Sequence, residues 1–266
     1  MDILVTNDDG IDSPGLWALV EAMSRVGSTL VVAPADQQSG VGTAFSLHSG
    51  ISIDEVPSPI SGVEAYAVGG TPSDCVMLGI RRLSGDRRIS LLVSGINLGG
   101  NMGRDIPYSG TVMATLQGYF RKIPSVAISL AIRDRTKEPG YDVAARVAEH
   151  LALRIENGTM PTDAILNTNV PDIPLDQIRG IVSTRTAPGA YVRLAPVPDQ
   201  GGVSYTRDTA AAHDAYPEGT DIWAIDAGMI SITPIRIEMT DHDRIPVLVE
   251  HVSALQSDLL GRGDRG

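Results

Sequence analysis

The sequence predicts a doubly wound α/β fold on a mainly parallel sheet, and three observations carry that prediction. Short apolar runs rich in β-branched residues recur through the first two thirds of the chain. They are continuous rather than alternating, as strands buried on both faces must be. Helical stripes with recognisable starts separate them, and a strand–helix–strand order places helices on both faces of one sheet. With 266 residues, 42% of them apolar, the chain can build one large domain with a substantial core or two small ones.

In order, the predicted strands are Ile3 to Val5, Leu30 to Ala33, Leu91 to Val93, Val126 to Ile128 and Ile165 to Leu166. Ser13-Pro14 supplies an N-cap and a first-turn proline for a helix with the stripe Leu16, Leu19, Val20 and Met23. Thr71-Pro72-Ser73-Asp74 repeats the device, with an acid three positions after the cap. Val112, Leu116, Tyr119 and Phe120 form a third stripe, and Val143, Val147 and Leu151 a fourth that stops near Gly158. The pattern changes near Arg179. Beyond it lie short β-like pieces, among them 222–225 and 230–232, a turn signal at 199–202, and a last amphipathic helix from Pro246 carrying Val247, Leu248, Val252, Leu255 and Leu259. The domain reading is therefore a catalytic core over 1–178 and a C-terminal region over 179–266 within the same structural unit.

Charge narrows the function. The net charge of −11 repels a nucleic-acid backbone, so nucleic acid is not an expected partner. The arginines at 81, 82, 87 and 88 read as a solvated helix end. No apolar run is long enough to span a bilayer, and no secretory leader is legible, so the expected location is the cytoplasm. The single cysteine, Cys75, sits in a helical apolar context and reads as a buried, inert thiol. The five histidines show no paired ligand spacing, so zinc is not expected.

In an open α/β sheet, ligands gather beyond the carboxyl ends of the strands. After the first strand comes Asn7-Asp8-Asp9-Gly10-Ile11. Two adjacent carboxylates repel each other unless a cation joins them, and both are hard oxygen ligands suited to Mg²⁺ or Mn²⁺. Taken alone, the segment also reads as a solvated turn with Asp12 or Ser13 capping the next helix. After the second strand, Ser39-Gly40 offers a hydroxyl and an unobstructed backbone; after the Leu91 strand, Ser94 to Gly103 gathers four glycines around Asn97 and Asn101. That stretch is neither a P-loop nor a dinucleotide fingerprint, because the lysine pair and the glycine spacing are missing. Tyr108-Ser109-Gly110-Thr111 then opens a helix, where free amides and the dipole favour an anion. Three loops after three strands would meet at one sheet edge with the parts for a metal and a phosphoryl group.

Together these motifs, with Gly69 to Val76, Asn167 to Pro171, Thr184-Arg185 and Gly228 to Pro234, resemble the SurE family of stationary-phase survival proteins and 5′-nucleotidases. The resemblance runs in order over nearly the whole chain. It implies a Rossmann-like α/β/α sandwich with a C-terminal extension exchanged between subunits of a homodimer or homotetramer. It implies a phosphohydrolase acting on nucleoside 5′-monophosphates, with 3′-nucleotides and short polyphosphate as further candidate substrates. One divalent cation per subunit is implied, held by Asp8, Asp9, Ser39 and Asn97. Asp8, Asp9 and Asn97 are the implied catalytic residues, and Ser39, Gly40, Asn101, Ser109, Gly110 and Thr111 the phosphate contacts. Two departures stand out: Gln37 and Gln38 lie where many relatives carry an arginine, and Met229 stands where an aromatic residue is common. The haloacid-dehalogenase pattern fits poorly, since Asn7 takes its nucleophile position and Ile11 its threonine position. A non-catalytic nucleotide-binding or stress-sensing module on the same fold is the alternative, and phosphate release from AMP or GMP separates the two.

Overall fold

The computed structural model describes residues 1–48, 50–132, 136–191, 193–199, 202–208 and 216–261, with 193–199 and 202–208 as backbone only. Residues 1–235 form one compact unit and 236–266 a second.

Among the described residues of the first unit, nine strands make one sheet in the order β3-β4-β2-β1-β5-β6-β7-β11-β8. They are β1 (Asp2–Thr6), β2 (Ser28–Pro34), β3 (Ile53–Val56), β4 (Glu64–Val68), β5 (Leu91–Leu98), β6 (Ser125–Ala131), β7 (Ile165–Pro171), β8 (Ile181–Ser183) and β11 (Ile230–Ile235). The six central strands, β4 to β7 in sheet order, run parallel; β3 is antiparallel to β4, and β11 to β7. The predicted α/β class holds, with all five predicted strands present. The sequence reading did not find β3 and β4.

Period-2 geometry divides each strand between two cores. Ile3, Val5, Val31 and Val93 face a core closed by α1 (Pro14–Ser24) and α5 (Asp142–Glu156), through Leu16, Leu19, Ala148 and Leu151. Leu4, Leu30, Val32 and Leu92 face the other core, with Cys75 and Val76 of α2 (Pro72–Leu78) and Ala114 of α3 (Gly110–Ala114). Each fully buried leucine or isoleucine stabilises the fold by roughly 1.5–3 kcal/mol over an exposed one.

Several local readings hold and others need correcting. Thr71 and Asp74 form the expected capping box, with the Thr71 hydroxyl accepting from the Asp74 amide (3.2 Å) and Asp74 accepting from the Thr71 amide (2.9 Å). Ser13 stands at the N-cap of α1, but its side chain makes no capping bond there; Pro14 alone marks the start. The third stripe is not one helix, because Thr115 ends α3 and a separate α4 (Leu116–Tyr119) follows. Residues 222–225 are not a strand: they lie in α6 (Asp221–Asp226), preceded by an extended Thr220. Six residues are too few to display a helical period, and the Ile-Trp-Ala-Ile composition mimics a buried strand.

Beyond β8, β9 (Arg193–Asp199) and β10 (Gly202–Asp208) pair as an antiparallel hairpin with Asp199 opposite Gly202. The centre of the predicted turn, Gln200 and Gly201, lies outside the described residues, as do His213 and residues 262–266. In the second unit, α7 (Ile245–Leu260) begins one residue before the predicted Pro246. Its Leu248, Val252, Leu255 and Leu259 are each more than half exposed.

Candidate active site

The chain moves outward from β1 to β2 on one side and to β5 on the other, so the strand order reverses between β1 and β5. Carboxyl ends diverge at such a switch point and leave a crevice. Asp8 and Asp9 leave the end of β1, and Asn97 sits near the end of β5.

The turn after β1 is locked from several sides. Asn7 is buried, and its Nδ2 donates to the Gly10 carbonyl (2.8 Å). Gly10 takes φ +96°, a conformation that side chains disfavour. Asp8 is 4% exposed and accepts from both the Thr111 hydroxyl and the Thr111 amide. Gly110 makes this approach possible, because a Cβ there would lie 2.7 Å from the Asp8 Cβ. Burial, and then the neighbouring Asp9 charge, push the Asp8 carboxyl up to about 6, and the Thr111 bonds only partly offset them.

Asp9 is half-buried, and its Oδ2 accepts from the Leu98 amide at 2.9 Å. Its Oδ1 accepts from Gln37 Nε2 at 3.5 Å, and the same nitrogen donates to Ser39 Oγ at 3.1 Å. Gln37 thus ties Asp9 to Ser39, while the Gln38 amide donates to the Asp8 carbonyl (2.8 Å) and docks the loop. Asn97 is 9% exposed; its Nδ2 donates to the Gly99 carbonyl (2.6 Å), which orients the amide and leaves Oδ1 without a hydrogen bond among the described residues. Asp8, Asp9, Ser39 and Asn97 are therefore linked, directly or through one neighbour, beyond the carboxyl ends of β1 and β5. Ser39 and Gly40 are exposed.

Two expected phosphate contacts are engaged elsewhere. Thr111 spends its hydroxyl and amide on Asp8. Asn101 is built into the protein: its amide nitrogen donates to Ser129 Oγ (2.8 Å) and its backbone N–H to Asn169 Oδ1 (2.8 Å). Asn167 and Asn169 both donate back to the Asn101 carbonyl, at 2.8 and 3.1 Å. Ser109 caps α3, its Oγ accepting from the Val112 amide (3.1 Å).

Three participants were given no role by the sequence reading. Tyr141 lies near enough to Asp9 that burial, then the Asp9 and Asp172 charges, push its hydroxyl up to about 12. Asp221 accepts from the amides of Gly103 (2.9 Å), Ala187 (2.8 Å) and Ile222 (2.8 Å) and so clasps the end of the glycine-rich loop. The two β7 asparagines form the third. Their i, i+2 spacing puts them on one strand face, the signal that would have found them. Cys75 is buried, and burial pushes its thiol well up, which makes it inert as expected.

Among the described residues, no three of His, Cys, Asp and Glu gather to hold a metal. A cation in this crevice therefore needs the hydroxyl and amide oxygens as well as the two carboxylates. That donor set is all oxygen and fits Mg²⁺ or Mn²⁺. No ion pair to Asp8 exists among the described residues, so the charge a cation would neutralise is present.

The family model described as survival protein SurE matches residues 3–193. The chain is 43% identical to the 5′-nucleotidase SurE of Dehalococcoides mccartyi (strain CBDB1) over 239 residues, 88% of each protein. It is 39% identical to the 5′-nucleotidase SurE of Geobacter metallireducens over 252 residues, covering 93% of this chain and 96% of that one. Its structure is similar to the crystal structure of the SurE protein from Aquifex aeolicus, with a TM-score of 0.78 and 32% identity over 95% of this chain and all of the other.

Proposed function

Because this chain belongs to the SurE family, we propose that it is a metal-dependent 5′-nucleotidase whose cation is held by Asp8, Asp9, Ser39 and Asn97. The observation that carries the metal assignment is the pair of adjacent carboxylates at the switch point, one buried with its carboxyl held near 6 and the other tied through Gln37 to Ser39. Bound there, a divalent cation supplies charge neutralisation for the phosphoryl oxygens.

The protein's own groups do the rest. The Gly110 amide at the start of α3, with Asn97 and the exposed Ser39 and Gly40, orients the phosphoryl group. Thr111 and Asn101 act one step removed: Thr111 fixes Asp8, and Asn101 shapes the glycine-rich loop. Asp8, held in place by Thr111, orients the attacking water and accepts its proton. Positioning and charge stabilisation supply most of the acceleration in phosphoryl transfer.

The exposed apolar face of α7 supports homo-oligomerisation through the C-terminal region, which light scattering measures directly. No described helix is long and apolar enough to cross a membrane, and the expected location is the cytoplasm. The deciding assay measures phosphate release from AMP and GMP with Mn²⁺ or Mg²⁺, with and without chelator. Release that chelation abolishes is expected; nucleotide binding without release would point to a sensor instead.

A further inference from the structure

We propose that a basic pocket at the amino ends of β5 and β6 binds a condensed phosphate group. The pocket encloses about 690 Å³ and is lined by Arg87, Arg88, Arg121 and Lys122, with Ile89 and Ile123 among its apolar walls. It lies at the opposite end of the sheet from Asp8, about 20–25 Å away by the length of β5.

Four cations in one concavity are unexpected in a chain of net charge −11. Arg87 has a carboxylate partner, Glu64, at 2.9 Å. Arg88, Arg121 and Lys122 have none among the described residues. Arg121 is held in place, donating to the Gln117 carbonyl at 2.6 Å. Burial, then the nearby Arg81 charge, lower its pKa. Lys122 is the only described residue other than glycine with a left-handed backbone, at φ +58°. Strain of that kind persists where surrounding structure imposes it and is concentrated at functional sites.

The lining also selects the ligand. Three cations without a carboxylate partner among the described residues match a di- or triphosphate better than a single phosphate. No aromatic ring lines the pocket, so nothing there stacks on a base. Of the four arginines that read in the sequence as a solvated helix end, Arg81 and Arg82 are exposed, while Arg87 and Arg88 line the concavity, placed by the loop that enters β5.

The test uses calorimetric titration of the full chain with sodium tripolyphosphate in excess EDTA, which removes divalent cations from the carboxylate crevice. Saturable binding is expected, weakened at least about tenfold in Arg88→Gln/Lys122→Gly. The glycine suits the backbone at 122 and Arg88 is exposed, so the variant keeps its fold by circular dichroism and its AMP hydrolysis with Mn²⁺. Asp8→Asn binds tripolyphosphate as the unaltered chain does. No saturable binding, or equal binding by the double variant, overturns the proposal. ATP binding far more tightly than tripolyphosphate also overturns it, because the site would then recognise a base.

Discussion

The two ends of the sheet are electrostatic opposites. At the carboxyl ends of β1 and β5, two acids are packed together and fixed by amides, a hydroxyl and a glutamine. At the amino ends of β5 and β6, arginines and a lysine gather with few carboxylate partners. Both arrangements concentrate like charge, but by different means. The acidic end is buried and over-determined, so its geometry precedes any ligand. The basic end is more exposed: Arg87 and Arg121 are each held by several contacts, while Arg88 and Lys122 are exposed. The contrast shows that a crowded charge indicates chemistry only when the structure also fixes where each charge points.

The contrast breaks most severely at Asp8. Asp8→Asn keeps the Thr111 contact and the fold, yet phosphate release from AMP should fall about a thousandfold or more. Release within tenfold of the unaltered protein would remove Asp8 from the mechanism.

Titration sharpens the same point. The folded carboxyl titrates at about 6 against 3.8 for the ordinary group. Below 3.8 both folded and unfolded chains carry the proton, and the full stabilisation is present. As pH rises through 6 the folded protein must ionise a buried acid, and the metal-free protein loses on the order of 3 kcal/mol. Chemical denaturation in EDTA at pH 5 and pH 8 captures a little under half of this loss, about 1.4 kcal/mol, because the unfolded carboxyl is already ionised at pH 5. Cation affinity runs the other way, falling about tenfold for each pH unit below 6 as the proton competes. A metal-free stability that does not drop between these pH values would deny Asp8 its strained charge.

Gly110→Ala tests the close approach. The added methyl would sit 2.7 Å from the Asp8 Cβ. Backbone or aspartate must shift, at a cost of about 1–3 kcal/mol and roughly a hundredfold in turnover. Denaturant titration and the AMP assay read the two effects separately. Asn169→Ala removes both a donor and an acceptor from Asn101 and should cost about 1–3 kcal/mol by denaturant midpoint. The smallest effect belongs to the opposite end: Lys122→Gly relieves a left-handed backbone and should stabilise by about 0.5–1 kcal/mol in a thermal melt. A destabilised Lys122→Gly would mean that the lysine stem contributes packing that outweighs its strain.

Much of the fold was legible because the strands that position the site are buried on both faces and read as unbroken apolar runs. β3 and β4 escaped detection because Asp54, Glu55 and Glu64 interrupt them near the sheet margin. The helix at 221–226 was misread because burial, which composition does report, does not distinguish helix from strand over six residues. In the site, the Asp8-Asp9 pair and the Ser109 cap were visible as local patterns. The ties that make them a site were not, because they join distant stretches: Gln37 to Asp9, Thr111 to Asp8, and Asn167 and Asn169 to Asn101. The anchoring of Asn101 was hidden for the same reason, since its partners Ser129, Asn167 and Asn169 lie on β6 and β7, far along the chain.

The two outermost strands carry a consequence for how copies of this chain meet. β3 spans four residues with Asp54 and Glu55 exposed, and β8 at the far margin spans three. A margin so short and, on one side, so charged offers a visiting strand few backbone groups to zip onto, and repels a like-charged one. Two molecules therefore cannot readily merge this nine-stranded sheet margin to margin.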